Sequence, residues 1–167
     1  AFPLIGRKIY EHALSTANAC YLLAEKEKNV NPFIAYTTGF FHEIGTVALF
    51  KLYLNVFDDV WKEELQQARE DFNQKRFMAI SKLEPSQKHM RDVFFKNSSK
   101  YTKNIVESFN FERLPVKEIL LRFCNNTTLN ENNEEDYISN YTKILYKANS
   151  FSQIKELYDV RLINKNH

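Results

Sequence analysis

The sequence predicts an all-α protein, a compact bundle of about seven to nine helices. Glycine and proline are scarce, with 3 and 4 residues among 167, whereas a β-rich chain of this length normally needs more turn residues. Apolar residues recur at helical spacing along most of the chain. Hydrophobic residues make up 44% of the total and charged residues 26%, which is enough apolar material for a sizeable core.

The first two predicted helices have clear boundaries. Residues 5–28 form one amphipathic pattern, whose apolar stripe includes His12. Asn31 is a suitable cap and Pro32 suits a first helical turn. Residues 33–41 are apolar on every side, which is typical of a central helix.

The later helices follow from shorter signals. Gly45 predicts a helix end, and Thr46 predicts the cap of a new helix over 47–57. Residues 125–136 are mostly Asn, Thr and Glu, which predicts a solvated loop. Further helices are expected over 58–83, from Pro85 to about Phe95, from Ser98 or Ser99 to Phe109, from Leu114-Pro115 to Phe123, over 137–148 and over 151–162.

Composition also narrows the classes of function. The net charge of +2, with no run of like charge, argues against nucleic-acid binding. No uninterrupted apolar run reaches the ~18 residues of a membrane span, and no signal-peptide pattern is present. Cys20 and Cys124 lie far apart among apolar neighbours, as buried thiols do in a reducing compartment. We therefore expect a cytoplasmic protein whose residues 1–167 form a single domain.

Three sequence features carry candidate chemistry: His12, the pair His42-Glu43 after a buried helix, and Asn149 at the end of the predicted helix 137–148. Imidazole, carboxylate and amide groups that converge on one divalent metal can activate a bound water for hydrolysis. The alternative is structural: a histidine on an apolar stripe is often a hydrogen-bonded core residue, and a His-Glu pair often caps a helix within a polar network.

The same residues resemble a known family. Ile9-Tyr10-Glu11-His12 and the run from Thr38 to Gly45, TGFFHEIG, resemble the second half of the bacterial HDOD domain, in which a helical His is followed by Gly-Leu-Leu-His-Asp-Ile-Gly. Phe109 to Pro115 is similar to the family's Trp-x-Leu-Pro helix start, and Tyr146 to Asn149 to its Ala-Asp. The resemblance runs over about 5–160. It implies a helical bundle of the HD-domain type.

The departures from the family pattern concern the metal site. Glu43 and Asn149 stand where catalytic HD-type phosphohydrolases have Asp, and Thr46 stands where they often have Lys. Residues 116–148 contain no histidine, although the family has further ones there. Loss of negative charge weakens the binding of hard cations. The expected degenerate HD-motif positions are thus His12, His42, Glu43 and Asn149, with no catalytic residue and no cofactor.

The resemblance implies a non-catalytic bacterial signal-transduction domain that acts through protein contact. The alternative is a metal-dependent phosphohydrolase of nucleotides or cyclic nucleotides, with Mg, Mn or Fe held by the same four residues. A third hypothesis is a plain helical domain unrelated to HD proteins. Clustering of the four side chains would separate the first two hypotheses from the third.

The expected partner is another protein or the remainder of the protein's own chain. HDOD proteins usually carry another helical lobe before this region, so we expect a fragment of a longer chain. Tyr10, Leu14 and Tyr21 form a second apolar stripe on the first helix, which predicts an interface, either with that lobe or in a homodimer. The alternative is that the C-terminal helix (Phe151, Ile154, Leu157 and Tyr158) covers the stripe.

Overall fold

The computed structural model describes residues 2–109, 111, 114–125 and 137–159. These ranges contain seven helices and no strand, so the predicted all-α class is confirmed. In chain order the helices are α1 (Phe2–Ala24), α2 (Pro32–Phe41), α3 (Ile44–Glu70), α4 (Gln74–Ile80), α5 (Gln87–Ser108), α6 (Val116–Cys124) and α7 (Tyr137–Asp159).

Helices α1, α2, α6 and α7 pack around the hydrophobic core. Apolar side chains from these four helices, together with Val30 and with Val106 of α5, are removed from water, which is the dominant favourable contribution to folding. The buried members of this core are Cys20, Ala24, Val30, Ala35, Val106, Val116, Ile119, Leu120, Ile138, Tyr141, Ile144, Leu145 and Ala148.

Helices α3 and α5 form an antiparallel pair beside this core, with α4 against α3. The Gly45 N–H, at the start of α3, donates to Thr102 Oγ1 near the end of α5 at 3.0 Å. Further along α3, the rings of Tyr53 and His89 lie 5.8 Å apart. The pairing of early α3 with late α5 therefore shows that the two helices run in opposite directions.

The crossing of α1 and α2 depends on Gly39. A Cβ atom at this position would lie 2.8 Å from Ala17 Cα and 2.9 Å from Cys20 Sγ. Only a hydrogen atom fits there, because non-bonded carbon atoms prefer separations near 3.5–4.0 Å. The small residue brings the helices close, and with them the residues that α1 and α2 carry.

Several of the predicted helix boundaries are wrong. The break expected between residues 57 and 58 falls inside α3, and the helix expected over 58–83 is divided between α3 and α4. Gly45 does not end a helix and Thr46 does not cap one: both are buried in the first turn of α3, which continues to Glu70. The position before α3 is occupied by Glu43, whose side chain makes no capping hydrogen bond. The two helices expected over 85–109 are one helix, α5, and the two expected over 137–162 are one helix as far as Asp159, α7.

Polar residues next to those expected breaks form hydrogen bonds within the helices. Asn97 Nδ2 donates to the carbonyl of Val93, and Ser150 Oγ donates to the carbonyl of Tyr146. Such bonds to the preceding turn let Asn and Ser remain in a helix interior. The helices end elsewhere: α3 ends where Phe72 takes a positive φ of 51°, after which the Asn73 side chain caps α4.

The predicted solvated loop and the predicted end of the last helix fall on residues 126–136 and 160–162, outside the described part of the chain. The described helices number seven, within the expected range. None of them combines the length and the hydropathy that a membrane-spanning helix requires.

Candidate functional site

The structure brings His12, His42, Glu43 and Asn149 together beside the core. His12 lies on α1, His42 ends α2, Glu43 precedes α3, and Asn149 lies in the middle of α7. One ligand atom from each of His12, His42 and Glu43 lies within 4.8 Å of the other two. Asn149 Oδ1 lies 3.0 Å from His12 Nε2. Residues 137 positions apart thus share one site.

His12 is held from both sides of its ring. Its Nδ1 lies 2.7 Å from the Glu156 carboxylate, and since an ionised carboxylate only accepts, Nδ1 carries the proton. Its Nε2 faces Asn149 and lies 3.9 Å from Glu43 Oε1. The Asn149 amide suits either state of the ring, because it can turn by half a rotation. A neutral ring accepts from its NH₂ group, whereas a protonated ring donates to its oxygen.

His42 is oriented by the backbone of its own helix. Its Nδ1 donates to the carbonyl of Gly39 at 2.6 Å, which leaves the lone pair on Nε2. Nε2 is buried and has no hydrogen-bond partner among the described residues. Burial lowers the pKa of His42 to about 4 despite the opposing effect of the Gly39 hydrogen bond. His42 is therefore a neutral imidazole at physiological pH.

Glu43 is the carboxylate among the four motif positions, and one of its oxygens lies within 4.8 Å of a ring nitrogen of each histidine. Burial raises the pKa of Glu43, the neighbouring His12 opposes that change, and the charge of Glu156 adds to it. Glu43 also lines a pocket of about 260 Å³ that opens beside the cluster. The other lining residues are His42, Thr46, Ser98, Ser99, Thr102, Phe123, Cys124, Tyr146 and Asn149.

Glu156 belongs to the cluster and was missed in the sequence analysis. It lies seven residues, two helical turns, after Asn149, so the two side chains share one face of α7. That spacing identifies Glu156 only if α7 is one continuous helix, whereas the sequence predicted two. The expectation that Asn149 ends a helix is wrong for the same reason.

The comparison with known families now bears on these residues. Residues 4–84 match the model of the HDOD domain. Over these residues the chain is similar to the HDOD domain. The matched segment contains His12, His42 and Glu43 of the cluster. No curated protein and no solved structure matches the chain.

The HDOD match corrects the extent of the expected resemblance. It covers the N-terminal part of the chain, just under half of it, and the placement as a C-terminal half over 5–160 is not borne out. The later HDOD-like segments, from Phe109 to Pro115 and from Tyr146 to Asn149, lie beyond the matched residues. Asn149 joins the cluster by its position in the structure, independently of the family match.

The predicted interface stripe on α1 is only partly covered. Tyr10 is 56% exposed and touches Phe40 of α2 edge-on, while Tyr21 is half-buried against Phe33 of α2. The alternative cover was the C-terminal helix, but its residues Phe151, Ile154, Leu157 and Tyr158 are themselves exposed. Helix α2 therefore shields part of the stripe, and Tyr10 stays exposed.

Proposed function

We propose that this chain is a non-catalytic regulatory domain of bacterial signal transduction that acts through protein contact in the cytoplasm. The observation that carries the proposal is the lining of the pocket beside the cluster, which contains no lysine or arginine among the described residues. Phosphoryl chemistry depends on cationic groups or metals that stabilise charge as it develops on the phosphate oxygens. This pocket supplies hydroxyl, thiol and amide groups beside the imidazole of His42 and the carboxylate of Glu43.

The ligand set also carries little negative charge. Of the four motif positions, only Glu43 is a carboxylate, and the pKa of Glu43 is raised. Asn149 contributes a neutral amide to His12. Hard cations such as Mg²⁺ are bound chiefly by carboxylate and other oxygen ligands, so the cluster is a poor site for the cations that a phosphohydrolase uses.

In this proposal the cluster is a structural network. His12 bonds to two residues of α7, and His42 packs against the His12 ring with ring centroids 5.3 Å apart. The polar contacts thereby tie α1 and the α2–α3 junction to α7. Buried polar networks of this kind favour one arrangement of helices when their groups are paired.

The second candidate is a metal-dependent HD-type phosphohydrolase, and one observation favours it. Both histidines are anchored through Nδ1, and His42 Nε2 is buried without a hydrogen-bond partner in the described part of the chain. Metal-binding histidines are commonly held this way by a carboxylate or a backbone carbonyl. His12, His42, Glu43 and Asn149 would hold the ion, which would acidify a bound water.

Metal analysis combined with an activity assay separates the two candidates. We expect protein purified without chelator to carry no stoichiometric iron, manganese or magnesium, and to hydrolyse neither p-nitrophenyl phosphate nor cyclic dinucleotides. The control is His89→Ala, because His89 lies outside the cluster in the α3–α5 pair. Bound metal and hydrolysis that disappear in His42→Ala and persist in His89→Ala would establish the phosphohydrolase instead.

Protein contact is tested by placing a photo-crosslinking amino acid at position 10 in the native host. Tyr10 is exposed on the predicted interface stripe, whereas Lys26 is exposed just beyond the end of α1 and serves as the control position. We expect a crosslinked adduct of higher mass from position 10 alone. Equal labelling at both positions, or none at position 10, would contradict a partner at this stripe.

A further inference from the structure

An apolar groove of about 500 Å³ runs between α3 and α5, apart from the histidine cluster. Its walls include Leu49, Tyr53 and Val56 from α3 and Val93, Asn97 and Tyr101 from α5. On one side of the groove, Leu52, Val56 and Val60 form a ridge at i, i+4 and i+8, and these three side chains are 46%, 53% and 54% exposed. Ridges of this spacing are the ones that pack into the grooves of other helices.

The ridge and the groove lie on the same face of the molecule. Such a face offers both the projecting part and the receiving part of a helix contact. An interface with two-fold symmetry requires this property, because each copy must present the same patch to the other. The apolar part of the face is therefore self-complementary in shape.

The charged residues at the two edges of the groove are also complementary to each other. On α3, Asp59 and Glu63 are exposed and follow Val56 and Val60 by three residues each. On α5, Lys96 and Lys100 are exposed and follow Val93 and Asn97 by three residues each. Residues three apart are neighbours on one side of a helix, so one wall has an acidic edge and the other a basic edge.

The two edges are also offset along the groove. Lys96 and Lys100 lie within six residues of Thr102, which contacts Gly45 at the beginning of α3. Asp59 and Glu63 lie at least 14 residues beyond Gly45, about 21 Å along the helix axis at 1.5 Å per residue. The acidic pair and the basic pair thus occupy diagonally opposite corners of the face.

We infer that this face binds a second copy of the same chain. A two-fold axis that lies in the interface along the remaining diagonal exchanges the acidic corner with the basic corner. Asp59 and Glu63 of each copy then face Lys96 and Lys100 of the other, and the ridge of each copy packs against the groove of the other. Burial of exposed valine and leucine contributes affinity, and the charges select the orientation. The inference does not depend on whether the histidine cluster is catalytic.

Sedimentation measurements on charge-reversed variants test the dimer. We expect the 167-residue chain to sediment at about 40 kDa, twice its 19.8 kDa, as concentration rises. The variant Asp59→Lys with Glu63→Lys has basic residues at both corners, and the variant Lys96→Glu with Lys100→Glu has acidic residues at both. The self-association of each variant should be weakened roughly tenfold or more. An equimolar mixture of the two variants should again form a complex of the dimer mass.

The control reverses the same number of charges away from the groove, at the exposed residues Glu25 and Glu27 beyond the end of α1. Glu25→Lys with Glu27→Lys should dimerise as the unaltered chain does. A protein that stays monomeric at its highest soluble concentration would overturn the inference. So would a dimer that both groove variants retain, or a mixture in which the two variants do not associate while circular dichroism shows both folded.

Discussion

At the scale of single residues, His42 shows how a polar group is tolerated in this fold. The residue is 4% exposed, one ring nitrogen donates to the carbonyl of Gly39, and the other has no partner among the described residues. Burial of a charged ring in such surroundings is costly, so the neutral form is strongly favoured. The protonation of His42 is therefore coupled to the stability of the fold.

This coupling predicts the pH dependence of stability. The pKa of His42 is about 4 in the folded chain, below its ordinary value of 6.5. Between these pH values the unfolded chain binds more protons, so stability falls as the pH is lowered through the window, by at most about 1.4 kcal/mol per pH unit from this residue. Denaturant unfolding from pH 7 to pH 4, with chelator present, measures the slope.

The matched variants are His42→Gln and His89→Gln. The first removes the buried imidazole and should flatten the dependence of the unfolding free energy on pH, even though the variant is less stable throughout. His89→Gln should keep the slope of the unaltered chain. A slope that is the same in all three proteins would show that His42 does not control this dependence.

At the scale of helices, glycines decide where two pairs of helices meet. Gly39 admits α1 against α2, and Gly45 admits the beginning of α3 against α5. A Cβ atom at position 45 would lie 2.3 Å from Ser98 O and 2.3 Å from Thr102 N, both of them backbone atoms. Backbone cannot rotate away as a side chain can, so the α3–α5 contact would have to open.

Gly45→Ala is therefore expected to destabilise the protein by roughly 1–3 kcal/mol or more, as overpacking does, although alanine normally favours helices over glycine. Gly6→Ala is the control, because a Cβ atom there meets only the edge of the Phe50 ring at 3.0 Å. Thermal unfolding compares the two. A melting temperature for Gly45→Ala equal to or above that of Gly6→Ala would mean that α3 does not approach α5 so closely.

At the scale of the whole molecule, the described helices differ in how many neighbours they have. Helices α1, α2, α6 and α7 share the main core, whereas α4 packs mainly against α3. Of the seven residues of α4, only Ile80 is buried. Helix α4 is tied to α3 by the indole N–H of Trp61, which donates to the carbonyl of Ile80 at 2.9 Å, and by an ion pair between Arg76 and Glu64. Helices with few buried contacts open most easily.

Hydrogen–deuterium exchange should reveal this difference. Amides of α4 are expected to exchange well before those of α1 and α2. This order of exchange should be the same at every protein concentration. Trp61→Phe keeps the ring packing and removes the hydrogen bond, so it should accelerate exchange in α4 and leave α1 unchanged. Protection of α4 equal to that of α1 would show that the two parts unfold as one unit.

Some features of the protein could be predicted from the sequence alone. The helical class follows from apolar spacing and the scarcity of glycine and proline, both of which act locally. The start of α2 at Asn31-Pro32 was predicted correctly, because a cap bonds to its own first turn. His12, His42 and Glu43 were identified as candidates because their order resembles the HDOD pattern.

Other features were decided only by tertiary structure. Gly45 suggested a helix end from its own preferences, but packing against α5 holds it in the first turn of α3. Glu156 entered the cluster because α7 continues past Asn149, and its partner His12 lies 144 positions away. Contacts over such separations depend on how helices cross. Helix crossing is set by packing between distant segments, whereas the spacing of residues along the chain determines only local structure.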